Sequence, residues 1–112
     1  MGLSDNFQAF EDAVKDGLSA LATGTLKSAA ADIRSDVEAF LEASAEDLKR
    51  RGDLLAQGDL TREEFEFLLK SQADNARMIA LSQRGISKAR IGQFKRSLTT
   101  LVLRAAFAAI GI

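Results

Sequence analysis

The 112-residue sequence contains no histidine, cysteine, proline, tryptophan or tyrosine. Each absence removes a class of function. Without histidine no side chain titrates near neutrality at its ordinary pKa, and triads built on imidazole are excluded. Di-iron bundles of the ferritin-like kind fall with it, because they need a Glu-x-x-His motif. Without cysteine there is no disulfide framework, thiolate nucleophile or thiolate metal site, and the redox compartment is unconstrained. Without proline, no ring interrupts a helix. Tryptophan and tyrosine, the residues that favour a membrane interface, are missing. No stretch reaches the roughly 18–20 apolar residues of a membrane-spanning helix. The opening Met1-Gly2-Leu3-Ser4-Asp5-Asn6 lacks the features of a secretory leader, and Asn6 stands where a myristoylation motif asks for Ser or Thr. The expectation is a cytoplasmic, non-enzymatic protein with no cofactor and no metal.

What is present favours helix. Alanine is abundant, and Leu, Glu, Lys, Arg and Gln lose little on entering a helix. The length suits one domain, 1–112, with a modest core. The clearest local signal is Gly58-Asp59-Leu60-Thr61-Arg62-Glu63-Glu64-Phe65. Gly58 suits the left-handed residue that ends a helix. Thr61 and Glu64 have the spacing of a capping box, with Leu60 and Phe65 as its hydrophobic staple. This turn folds the chain back on itself.

Upstream, residues about 4–22 read as an amphipathic helix with Phe7, Phe10, Val14, Leu18 and Leu21 on one stripe, and Ser4 or Asp5 as its cap. Thr23-Gly24-Thr25 offers a stop and a restart, with Thr25 as the next cap. A second helix spans about 26–56, with Gly52 interrupting it. Downstream of the turn, an apolar row runs from Phe65 to Ala105 at an average step of about 3.6 residues, the straight-helix value. The continuity of phase predicts an all-α protein: a long antiparallel helical hairpin (about 26–56 and 61–110) with a short N-terminal amphipathic helix. The alternative is an up-down four-helix bundle, with a break where Gly85 ends one helix and Ser87 caps another.

Charge is divided. Residues 1–69 hold seven Lys or Arg against fifteen Asp or Glu, whereas residues 70–112 hold eight against Asp74 alone. Lys70, Arg77, Arg84, Lys88 and Lys95 would lie near one line on a continuous helix, placed to pair with an acidic arm. A nucleic-acid track is disfavoured, because no recognition motif or interleaved aromatic accompanies these cations. The C-terminal end is apolar nearly all round. Phe94, Leu98, Leu101, Val102, Leu103, Phe107 and Ile110 therefore form a candidate interface, for oligomerisation or for a membrane.

The remaining motifs are weak. Glu38, Glu42 and Glu46 form a carboxylate row on the polar side of their helix, as a solvated face would. Arg51-Gly52-Asp53 spells an adhesion tripeptide inside a predicted helix. Ser44, Gln72 and Gln83 are polar positions within apolar rows, placed to pair across helices. The expected function is a structural, assembly or adaptor role through self-association, as a homo-oligomer, and helix-face contacts with a protein partner. The runner-up is peripheral binding to anionic lipid through the basic row and the C-terminal end.

Overall fold

Helix α3, Ala30–Gln57, is the spine of the molecule. At about 1.5 Å per residue its 28 residues span about 42 Å, the whole long dimension of a fold measuring 42 × 22 × 20 Å. The computed structural model describes residues 2–22 and 24–112, with the backbone alone at 24 and 25. Ahead of α3 lie α1, Phe7–Asp16, and the one-turn α2, Leu18–Leu21. After it come α4, Arg62–Asp74, α5, Ile79–Gln83, and α6, Lys88–Ile110. Short 3-10 segments, Ser4–Asn6 and Gly24–Ala29, precede α1 and α3. The protein is all-α.

Three contacts fix the directions. Ala80 and Leu81 donate to Asp36, and Arg84 pairs with Asp32, so α4 and α5 run antiparallel to α3. Lys95 reaches the Asp74 carbonyl while Phe107 packs on Phe65, so α6 runs antiparallel to α4. Asn6 donates to the Ala109 carbonyl and Gly17 lies against Leu101, so α1 runs antiparallel to α6. The chain goes up, down, up and down around one core, with each arm beside its neighbours in sequence.

The continuous 61–110 helix is therefore corrected to the bundle with a break near Gly85. A 50-residue rod would be about 75 Å long and would leave much of its apolar row in water. Folding back buries that row: Phe65, Leu69, Ala73, Leu81, Phe94, Leu98 and Val102 all lie in the core with Phe10, Ile33 and Leu48. The reversal is local chemistry. Gly85 is left-handed at φ 89°, Ile86 N–H donates to the Leu81 carbonyl and Gly85 N–H to Ser82, and the Ser87 hydroxyl accepts from Arg90 N–H at 3.3 Å. The phase survives the break because α4 and α6 turn their stripes to the same core.

The turn at Gly58 is as its residues predict. Gly58 sits at φ 83°, and Asp59 and Gly58 N–H groups donate to the Leu54 and Leu55 carbonyls. Thr61 and Glu64 form the complete capping box, at 3.0 and 2.9 Å. The Thr61 backbone N–H, bonded to the Glu64 carboxylate, holds that group below its usual pKa.

The N-terminal cap is different from expectation. Neither Ser4 nor Asp5 caps α1, whose preceding Asn6 makes no side-chain cap. Ser4 instead donates its N–H and hydroxyl to Asp53 of α3, at 3.0 and 2.7 Å. These bonds, the backbone one first, hold the Asp53 carboxyl below its ordinary value. Leu3, beside them, is fully buried over Gly52. The glycine that looked like a flaw in the second helix is the floor on which the N-terminus packs. It also takes Arg51-Gly52-Asp53 out of any exposed loop. The expected stop at Thr23 lies outside the described residues, as does the Thr25 side chain expected to cap the next helix.

Candidate functional site

The most informative region is a second break, between α4 and α5, which no glycine or proline announces. The chain leaves α4 at Asp74 and enters α5 through Met78, a buried non-glycine residue in the left-handed region at φ 36° and ψ 54°. That conformation costs roughly 1–2 kcal/mol for an L-residue. What offsets it comes from across the bundle. Both oxygens of Asp36, in the middle of α3, accept backbone N–H bonds from Ala80 and Leu81 at 2.9 Å. Asp36 is 6% exposed. A buried carboxylate in an otherwise apolar stripe is thus satisfied by the open amides at the start of α5, which are also the positive end of its backbone dipoles.

This arrangement shortens α5 and leaves a half-open groove between it and α3. Its volume is about 720 Å³. The α3 wall presents Ser35, Ala39 and Ala43, small residues spaced at i, i+4 and i+8, with Phe40 and Ser44 deeper in. The opposite wall presents Gln72, Asn75, Ala76, Arg77, Ile79 and Gln83. Ile79 stands on the rim at 53% exposure, a large apolar side chain beside a hollow. The three polar residues singled out within the apolar rows, Ser44, Gln72 and Gln83, all line this one groove. The Gln72 Oε1 atom is shielded from solvent and has no hydrogen-bond partner among the described residues.

The expected sites map unevenly. Phe94, Leu98 and Val102 are in the core of the single chain, where they serve the bundle. Leu101, Leu103, Phe107 and Ile110 are half-buried and pack against that core. Phe107 contacts the Phe65 ring at 6.1 Å between centroids, and the Arg62 guanidinium lies 5.6 Å from the Phe107 ring. The helix that was apolar nearly all round is covered on most sides by α1 and α4. Its length would have exposed the surplus only on an unbroken arm.

The row of five cations is dispersed by the two breaks. Lys70 is on α4, Arg77 in the first break, Arg84 in the second, and Lys88 and Lys95 on the returning helix. Arg84 pairs with Asp32 on α3, as an acidic arm against a basic one requires. Lys95 caps the C-terminal carbonyl of Asp74 at 2.9 Å, favourable at the negative end of α4. The side chains of Lys70, Arg77 and Lys88 make no hydrogen bond or ion pair among the described residues. Lys88 and Ile110 are at opposite ends of α6, about 33 Å apart.

A smaller, polar hollow of about 450 Å³ lies between α1 and α3, lined by Glu11, Lys15, Glu38 and Glu42, with Lys49 over the Phe7 ring. Among the described residues no three acidic side chains converge on a possible metal position, and no helix is long and apolar enough to cross a membrane. Compared with known proteins, the chain matches no family model, no curated protein and no solved structure. Asp36 and the groove escaped the sequence reading. The signal for them was an acidic residue one step from Val37, on the edge of the α3 stripe.

Proposed function

We propose that this protein is a non-enzymatic helical assembly or adaptor protein, acting through self-association and helix-face contacts with other protein. The observation that carries this reading is the groove beside α5: an apolar hollow of about 720 Å³ with a large apolar side chain, Ile79, standing free on its rim. Its α3 wall is built of serine and alanine, side chains that let a neighbouring backbone come close. The interface role first assigned to the end of α6 passes to this face, because α6 is occupied within the chain. Light scattering across a concentration series tests the reading. A mass above that of the 12.1 kDa chain, rising with concentration, is the expected result. A monomer at every concentration that pellets with anionic vesicles, in a salt-sensitive way, rejects it in favour of the lipid reading. That alternative needs the cations near Lys88 and the apolar end at Ile110, about 33 Å apart along α6, to meet one membrane together.

A further inference from the structure

Two of the described residues that line the groove are charged, Asp36 and Arg77. Asp36 is fully engaged: it is buried, and its two oxygens accept the Ala80 and Leu81 N–H groups at 2.9 Å. One turn to either side on α3, Asp32 and Asp47 are paired with Arg84 and Arg50. The Arg77 side chain has no partner among the described residues. Neither have the side-chain amides of Gln72 and Asn75, and the Gln72 oxygen is shielded from solvent. The unmatched charge in the groove is therefore positive, and the unmatched polar groups with it carry N–H donors.

The antiparallel directions gather these groups toward one end. As α3 runs from Ser35 to Ser44, the facing wall runs from Gln83 back to Gln72. Gln72, Asn75 and Arg77 thus lie toward Ser44, and Asp36 lies toward Gln83. Between the two ends Ala39, Phe40, Ala43, Ala76, Met78 and Ile79 form an apolar trough. Its volume, about 720 Å³, falls within the roughly 300–1,000 Å³ of small-molecule sites, which are mostly apolar with a few convergent polar groups. The geometry points to an apolar carboxylic acid as the ligand of this groove. Its hydrocarbon body lies along Ala39 and Ala43 beneath Ile79. Its carboxylate meets the Arg77 guanidinium, with the Gln72 and Asn75 amides as further donors. A cationic ligand would face Arg77 and find no free acid in the lining. The site goes beyond the self-association reading and does not depend on it, because the trough lies within one chain.

With no tryptophan or tyrosine, the chain is dark where fluorescent probes are read. Two probes share one body: anilinonaphthalene sulfonate carries an anionic head, and N-phenylnaphthylamine lacks it. At low micromolar protein the sulfonate is expected to bind one per chain, with Kd on the order of 10–100 µM, and decanoate to displace it. Ala43→Phe, at an exposed helix position, fills the trough. It should weaken both probes by about tenfold or more while circular dichroism and melting stay unchanged. Arg77→Gln should weaken the sulfonate by about fivefold to tenfold and leave the neutral probe unchanged. No sulfonate binding to the parent, or binding that persists in Ala43→Phe, overturns the site. An equal response of the two probes to Arg77→Gln, or a failure of decanoate to compete, overturns the carboxylic acid as ligand. None of these readouts depends on the mass of the particle, so light scattering decides self-association separately.

Discussion

Replacing Gly52 with alanine should destabilise the protein, against the usual rule for helices. In a helix interior alanine is favoured over glycine by about 1 kcal/mol. Here a Cβ at position 52 would lie 2.6 Å from Leu3 Cδ2 and closer still to its Cβ. Leu3 is fully buried, which is worth about 2 kcal/mol. Displacing it also threatens the two Ser4 bonds to Asp53, at about 1 kcal/mol each. Complete detachment of the N-terminal segment would thus cost about 4 kcal/mol, and net about 3 after the helix gain. Partial adjustment of Leu3 reduces the penalty, since overpacking typically costs about 1–3 kcal/mol. The expected result is a loss of about 2 kcal/mol, a fall in Tm of about 8 °C for a domain of this size. Chemical denaturation of four proteins in a double-mutant cycle checks the cause: the parent, G52A, L3G and the double variant. In the Leu3→Gly background no Cβ or side chain is left at position 3 to collide with, so Gly52→Ala should become neutral or stabilising by up to about 1 kcal/mol. If Gly52→Ala stabilises the parent, or costs as much without Leu3 as with it, the packing argument is wrong.

Asp36→Ala leaves two α5 amides without their acceptor, and should cost about 3 kcal/mol and expose the Ala80 and Leu81 amides to rapid hydrogen exchange; unchanged exchange there would refute the clamp. Gly85→Ala meets no atom within 4 Å, so its cost is the left-handed backbone alone, about 1 kcal/mol by thermal melting. Asp53 has a folded pKa below its unfolded one, so its contribution is fully present above about pH 4 and is lost as pH falls through the folded value. Acid titration of stability should therefore be shallower below pH ~4 in Asp53→Asn than in the parent.

Much of the fold was legible because its causes are local. The capping box at Thr61, the left-handed Gly58 and the Gly85–Ser87 stop and restart depend on side chains within three or four positions of one another. The amphipathic stripes depend on spacing alone. The break at residues 75–78 was not legible, since nothing within the segment demands it. Met78 is held left-handed by a bond network whose acceptor, Asp36, lies more than forty residues away. The same holds for Gly52, whose role becomes visible only when Leu3 lies across it.

The sequence by itself determined the helical class, the reversal at Gly58 and the side-chain chemistry that is excluded, and it offered the break near Gly85 only as the alternative to an unbroken helix. It also carried the division of charge, which survives in the fold as the pairing of Arg84 with Asp32. Only the tertiary structure decided which apolar residues stay free. A stripe of constant phase reads the same on one long rod as on two helices turned to one core, because periodicity records which side of a helix is apolar and not what covers it. The distinction depends on the reversal at Gly85 and on the buried Asp36 carboxylate. Together they send α6 back to be covered, and leave an open apolar groove between α3 and α5.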